Sequence, residues 1–329
     1  MKTWRAAVIG LGQIGMEYDY QSGNDEQILT HAAAFNLHPS YRLVGAVDPD
    51  KRQRKRFENK YQVPAFNSSS ELFLNTRPDV VAIAVPTKYH VAVFEEIIKY
   101  DLSAIISEKP IADNMRDAKK MTDYMRATKH PVIINYMRRF DPGVNKLKQM
   151  IKQKTIGEIY KGIVWYSKGL ANNGSHYIDL LIWLLGEVNG IKIINKGRSW
   201  GGTDPEPDVL YRFGKTEVAF LAGREECFSI VEMELIGTKG KLLYRQGGQK
   251  IEYFSCQLDP LFPNYVVLSN RARVIKSELM RVQWHVLQHL KEYLSGKRKM
   301  LNSDAFTATK TLSVLEATRT KLKGAADHG

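Results

Sequence analysis

The sequence predicts an α/β protein in two parts: an N-terminal doubly wound parallel sheet of Rossmann type, then an α+β domain with a largely antiparallel open sheet. Three observations predict it. Short β-branched runs alternate with amphipathic helical stretches over the first third of the chain. After about residue 150, strand-like runs follow one another with only short Gly-, Asp- or Lys-containing turns. Finally, 329 residues with 43% apolar content suffice for two cores.

The strands of the first part are "RAAVIG" (5–10), "LVGAVD" (43–48), "DVVAIAV" (79–85), "AIISE" (104–108) and "VIINY" (132–136). Between them, stretches such as "YHVAVFEEIIKY" and "MRDAKKMTDYMRATK" read as helices covering both faces of a parallel sheet. The second part carries "GEIYKGIVWYS", "GIKIINKGRSW", "DVLYRFG", "TEVAFLA", "FSIVEMELIG" and "GKLLYR". The helical "IKSELMRVQWHVLQHLKEYLSG" and "SDAFTATKTLSVLEATRTKL" close the chain, the latter opening on a Ser-Asp cap signal. Domains are expected at 1–136 and 137–329, the final helices being candidates to return to the first.

Composition removes several classes. Two cysteines, Cys227 and Cys256, give neither a disulfide framework nor a metal-ligand spacing. The longest greasy helical run, "YIDLLIWLLG", is half a bilayer span, and "MKTWRAAVIG" shows no leader pattern, so a soluble cytoplasmic protein is expected. The net charge of +13 and the dense run "DKRQRKRFENK" (50–60) raise a nucleic-acid reading. The run has helix-forming composition, however, and a solvated helix face is the preferred role. A basic surface also suits anionic small molecules, dinucleotides and sugar nucleotides among them.

"VIGLGQIG" sets Gly10, Gly12 and Gly15 in G-x-G-x-x-G spacing directly after the first strand, with Gln13 and Ile14 inside the loop. Such a loop permits a tight turn and close backbone approach to a pyrophosphate at a helix N-terminus. The second strand ends in Asp48, where a carboxylate accepts ribose hydroxyls. The expected cofactor is therefore NAD; Lys51, Arg52 and Arg54 beside Asp48 keep NADP as the lesser alternative. Asp48 stands 33 residues after Gly15, well beyond the usual ~20. The excess is assigned to an insertion at 17–28, "EYDYQSGNDEQI", placed either to cover the ligand crevice or as a passive surface excursion.

The reacting groups are sought at the ends of later strands. "SEKPIADN" (107–114) places Glu108 and Lys109 where a nicotinamide lies in such sheets, and a lysine there donates a charge-assisted hydrogen bond to a carbonyl or alkoxide oxygen. "NNGSHYIDL" puts His176 three positions before Asp179, at helical spacing. It also reads as an ordinary helix start, since Asn is a favoured N-cap residue. His285 and His289 have i, i+4 spacing but lack the glutamate of H-E-x-x-H and a third ligand; they are read as structural, and no metal is expected.

Taken in order, "GLGQIG", "VDPD", "VPTKYH" (85–90), "SEKPIAD", "MRRFDP", "GSHYIDLLIWLLG" and "IGTKGKL" (236–242) resemble the Gfo/Idh/MocA family of NAD(P)-dependent oxidoreductases. The resemblance implies a nucleotide-binding domain, a second domain whose open sheet makes oligomer contacts, and oxidation or reduction at a hydroxyl or carbonyl carbon of a sugar or cyclitol. It implies cofactor contacts from Pro86, Thr87, His90, Glu108 and Lys109 besides the glycine loop. Lys109 matches the lysine of the family's E-K-P, and His176 the catalytic histidine of D-x-G-x-H-x-x-D. Asp179 matches that motif's trailing aspartate, and Met137 with Arg138 the site-lining pair of M-R-R-F. At Asn172 many members have aspartate; members acting on nucleotide-linked sugars resemble this sequence in having N-x-G-x-H.

On this basis His176 is the expected general base, Lys109 the group that stabilises alkoxide character, and Asn172 an orienting amide. The leading expectation is an NAD-dependent oxidoreductase of a sugar, nucleotide-linked, acting as a homodimer or homotetramer without nucleic-acid or membrane partners. A dehydrogenase of a free cyclitol or monosaccharide is the enzyme alternative. A catalytically inactive NAD-sensing regulator is the alternative of another class; retention of both Lys109 and His176 argues against it.

Overall fold

A computed structural model describes residues 2–22, 25–128 and 130–324. The chain divides into two compact units, Met1–Phe140 with Met280–Thr309, and Asp141–Leu279 with Lys310–Gly329.

The first unit is laid down as β1 (Trp4–Ile9), α1 (His31–Leu37), β2 (Tyr41–Val47), α2 (Lys51–Tyr61), β3 (Ala65–Phe66), α3 (Ser69–Thr76), β4 (Val80–Ile83), α4 (His90–Ile97), β5 (Ala104–Ser107), α5 (Met115–Thr128) and β6 (Val132–Ile134). All six strands are parallel, in the order β3-β2-β1-β4-β5-β6. The central strands read as nearly unbroken apolar runs because helices bury both faces: β4 and β5 are buried at every position. Strand order reverses between β1 and β4, so the crevice beyond their C-terminal ends is where such sheets receive a ligand. Gly10 follows β1 and Pro86 follows β4. The two-residue β3 escaped the sequence reading because it is too short to carry a period.

The second unit contains α6 (Pro142–Lys152), β7 (Ile159–Tyr166), α7 (Ser175–Leu185), β8 (Val188–Trp200), β9 (Asp204–Phe213), β10 (Thr216–Ala222), β11 (Val231–Gly237), β12 (Gly240–Arg245), β13 (Lys250–Leu258), β14 (Val266–Leu268) and β15 (Arg273–Ile275). Its sheet runs β14-β13-β12-β11-β7-β10-β9-β8, with β15 on β13. Every pair is antiparallel except β7 with β10. Burial alternates along β10, β11 and β12, the mark of a sheet covered on one face. Val164, Tyr211, Phe220, Leu235 and Leu242 face a core shared with Val144, Leu147, Tyr177 and Leu181 of the helices. On the surface, Tyr160, Trp165 and the stretch from Leu258 to Leu268 keep large apolar side chains exposed.

Two helices close the chain. α8 (Val282–Leu294) begins later than its sequence pattern, after β15 and a single turn at Leu279–Arg281. Its Val286, Leu287 and Leu290 bury with Phe35 and Tyr41 in the core of the first unit. α9 (Ala305–Gly324) starts at the predicted cap: Asp304 Oδ1 accepts the Thr307 N–H at 2.9 Å. Leu315 joins the core of the second unit.

Candidate active site

The glycine loop is shaped by two glycines and left open by the third. Gly10 has φ +99°, and a Cβ there would stand 2.6 Å from the Ala84 carbonyl oxygen; one on Gly15 would stand 2.0 Å from that of Gly10. Both are demanded by the protein's own packing. A Cβ on Gly12 would meet nothing within 4 Å, so no internal contact requires glycine there. The cradle a Cβ would fill suits a group approaching the backbone from outside, as a pyrophosphate does. Gln13 and Ile14 open the single wide turn Gln13–Glu17, whose Met16 and Glu17 amides donate back to the Gly12 carbonyl. Asp48 ends the neighbouring strand; Oδ2 accepts the Leu11 N–H and Oδ1 the Asp50 N–H, both at 2.8 Å. Arg54 is committed to the carbonyls of Asp48 and Pro49 and to Asn67, whereas Lys51 and Arg52 are exposed.

The excess residues separate the turn at Gln13–Glu17 from α1; Gly23 and Asn24 lie outside the described residues. The buried Asp19 accepts the amides of Leu29 and Thr30 at 2.8 and 2.9 Å and the Thr30 hydroxyl at 2.7 Å. Thr30 in turn caps α1. The excursion also rests on α2: Glu17 pairs with Arg56 and Gln53, Tyr20 lies 4.2 Å from the Arg56 guanidinium, and Lys60 donates to the carbonyls of Asp19 and Tyr20. Part of the basic run that raised a nucleic-acid reading therefore serves to hold this segment.

The E-K-P loop leaves β5. Glu108 is buried, and its Oε1 lies 2.8 Å from His31 Nε2 and accepts Asn135 Nδ2 at 2.6 Å. Burial would push this carboxyl up, but His31, Asn135 and the nearby Lys109 charge together hold it below the usual carboxylate range. Lys109 is half-buried and joined to Pro110 by a cis peptide. His90 lies between two loops, its ring nitrogens 2.9 Å from the Val85 carbonyl and 3.0 Å from that of Pro110. Burial lowers the His90 pKa, and a neutral ring donates to one of these carbonyls. Pro86 and Thr87 form the exposed turn before it. Met137 and Arg138 occupy the turn Met137–Phe140; both are half-buried, and Met137 Sδ receives Gln283 Nε2 at 3.9 Å.

In the second unit the segment bearing Asn172 and His176 is one wide turn, Gly169–Gly174, running directly into α7. Gly174, at the junction, makes no side-chain cap. The capping acceptor is Asp204 on β9, which takes the amides of Ala171 at 3.0 Å and Asn172 at 2.9 Å; burial raises its pKa against the pull of those amides. The expected asparagine cap is therefore supplied by a strand, since an anion from another element meets two orphan amides at once. Glu206 accepts the Gly169 N–H at 3.0 Å. His176 is 8% exposed and Asp179 1%, and Asp179 Oδ1 accepts the Thr311 hydroxyl at 3.2 Å. His289 accepts the Asn302 N–H at 3.1 Å, a structural contact. Among the described residues no group of three His, Cys, Asp or Glu could hold a metal ion.

Residues 4–136 match the family model described as an oxidoreductase family with an NAD-binding Rossmann fold, Gfo/Idh/MocA. This similarity spans the parallel sheet of the first unit, from β1 to β6. The inositol 2-dehydrogenase of Corynebacterium glutamicum (strain R) is 25% identical over 204 residues, 56% of this chain and 55% of that protein; the chain thus spans about half the length of such curated relatives. Two solved structures share the fold over nearly the whole chain. The WlbA dehydrogenase of Bordetella pertussis, in complex with NADH and UDP-GlcNAcA, has a TM-score of 0.77 at 17% identity, covering 98% of this chain and 96% of that one. The UDP-N-acetylglucosamine 3-dehydrogenase GnnA of Acidithiobacillus ferrooxidans has a TM-score of 0.73 at 15% identity, covering 97% and 98%.

Within the first unit, sequence reasoning missed His31, Asn135 and Gln283, which surround Glu108, and Asp19, which closes the excursion. In the second unit it missed Asp204. Only Asp19 left a local trace, as an acidic residue inside the assigned insertion; the others act through partners dozens of positions away.

Proposed function

We propose that the protein is an NAD-dependent dehydrogenase acting at a CH–OH carbon of a sugar, and that the sugar is nucleotide-linked. The observation that carries the cofactor half is Gly12, whose missing Cβ leaves the only fingerprint position not filled from within. Asp48 at the end of β2 is the acceptor for ribose hydroxyls, which favours NAD over a 2′-phosphorylated cofactor. When bound, NAD supplies a two-electron acceptor at its nicotinamide.

The remaining work falls to the chain's own side chains. His176, in the first turn of α7, takes the proton of the reacting hydroxyl. Lys109, on the E-K-P loop, stabilises the developing negative charge on that oxygen. Asn172 orients by its amide, which carries no charge of its own. The nucleotide-linked substrate is supported by the N-x-G-x-H pattern at 172–176 and by the likeness of fold to WlbA and GnnA. A free cyclitol is the second reading, favoured by the identity to an inositol 2-dehydrogenase.

Following NAD reduction at 340 nm against a panel of UDP- and TDP-sugars, free monosaccharides and inositols tests both. Turnover on nucleotide sugars and not on the free compounds is the expected result. Turnover on inositol alone would replace the first reading by the second. Tight NAD binding with no turnover anywhere, in either direction, would favour a regulator.

A further inference from the structure

The carboxylate behind Lys109 is held by a residue that comes directly after the inserted segment. His31 opens α1 and is 1% exposed; its Nε2 lies 2.8 Å from Glu108 Oε1, 77 positions along the chain. The same oxygen accepts Asn135 Nδ2, which also reaches Gln283 Oε1 on α8 at 3.1 Å. The other oxygen, Oε2, accepts the backbone N–H of Lys109 at 3.3 Å. One buried carboxylate thus joins α1, the end of β6 and the peptide that carries the lysine. A buried carboxylate stays ionised only while its donors are in place. The titratable groups around it are His31 on α1, Lys109 on its own loop and His90 at the start of α4, which itself lies near Asp113.

His31 is placed in turn by the segment before it. Asp19 ties the amides of Leu29 and Thr30, and Thr30 caps the helix whose first residue is His31. The insertion therefore ends on a fixed point one residue from the Glu108 contact.

We propose that His31 is a positioning residue: by donating to Glu108 it fixes the carboxylate that holds the Lys109 peptide, so the aim of Lys109 depends on a helix start anchored by Asp19. This rests on the reading of Lys109 given above. A residue that only filled space would affect stability equally at every pH, whereas a donor to an ionised carboxylate would not. With one donor removed, Glu108 keeps its proton to higher pH, so both activity and stability should fail earlier on acidification.

The test uses the full-length enzyme with His31→Leu and His31→Gln. The leucine variant should lose roughly tenfold or more in kcat while the NADH dissociation constant, from fluorescence titration, changes by less than about twofold. Its acid limb of kcat should move to higher pH, and its Tm should fall more steeply than wild type on acidification towards the carboxylate range. The glutamine variant, which still offers an N–H, should recover most of the turnover and both profiles. Equal losses in the two variants, an unmoved acid limb, or a Tm offset that is parallel at all pH would overturn the proposal. If His31→Leu yields no folded protein, Asn135→Leu removes the second donor to the same oxygen and must move the same readouts; unmoved profiles there also overturn it. Lys109→Ala separates the two readings. Retained turnover in that variant sinks the role of Lys109 itself, whereas lost turnover beside an unaltered His31→Leu profile sinks only this inference.

Discussion

Asp204 accepts the backbone N–H of Asn172 at 2.9 Å, so the turn leading into His176 is capped from β9 and not by its own asparagines. Asp204→Ala should therefore cost about 1–2 kcal/mol of stability, the range of a lost cap, and lower kcat without weakening NAD binding. Asp204→Asn, which keeps an acceptor, should be milder on both counts. Urea unfolding with steady-state kinetics decides it; a silent Asp204→Ala would leave the turn self-supporting.

His176→Ala should lower kcat by roughly 10²–10⁴-fold, the usual contribution of a general acid or base, with NAD affinity nearly unchanged. Lys109→Ala should also cost kcat. If both groups serve one chemical step, as proposed, the double variant should lose less than the product of the single losses. Asn172→Ala should be milder than either. Near-normal turnover in His176→Ala would reduce "NNGSHYIDL" to a helix start.

Asp48→Ala should weaken NAD far more than NADP if, as proposed, the carboxylate reads the ribose hydroxyls, one of which carries the 2′-phosphate in NADP. The same carboxylate holds the Leu11 amide, so a smaller loss common to both cofactors is also expected. Titration of each by intrinsic fluorescence separates the two parts. Equal losses would confine Asp48 to holding the loop.

Replacing residues 21–27 by a Gly-Ser linker, with Asp19 and Tyr20 kept, should leave Tm within a few degrees of wild type. Substrate KM should rise or kcat fall if the segment closes over the site. Unchanged kinetics would make it a passive excursion.

Acid should destabilise the first unit through two buried histidines. His38 and His289 are held down to about 4, in both cases chiefly by burial, with the Arg298 charge adding to the effect at His289. Their unfolded values are near 6.5, so between the two the unfolded chain binds more protons. The stabilisation is complete above pH ~6.5 and is lost as pH falls towards 4, on the order of 3 kcal/mol for each ring. His289→Gln keeps an acceptor for the Asn302 amide and removes one titration; it should flatten the dependence of unfolding free energy on pH between 6.5 and 4. An unaltered slope would exclude His289 as a source.

Much of this was legible in the sequence because it is local. The glycine spacing, the β-α alternation and the Ser-Asp cap of α9 each lie within a few residues, and the alternation of β10 to β12 shows the covered face directly. What escaped depends on distant partners. The sequence offers asparagines at 172 and 173 as the obvious caps, but the anion that takes the amides stands at 204. His31 reads as one more polar residue in "LTHAAAF", and only folding brings it to Glu108. β13 to β15 went unread because their apolar residues do not alternate in a clean period, and "IKSELM" continues the helical pattern of α8 although its first residues belong to a strand and a turn.

The staple from Asp19 to Leu29 and Thr30 also bears on how this chain can change over time. Because Asp19 at one end fastens Leu29 and Thr30 at the other, and Lys60 holds the carbonyls of Asp19 and Tyr20, the start of α1 is set by the ends of the excursion. Residues gained or lost between those ends are expected to leave the register of α1 unchanged. The excursion is then expected to accept grafting from one scaffold to another while the sheet beneath it stays as it is.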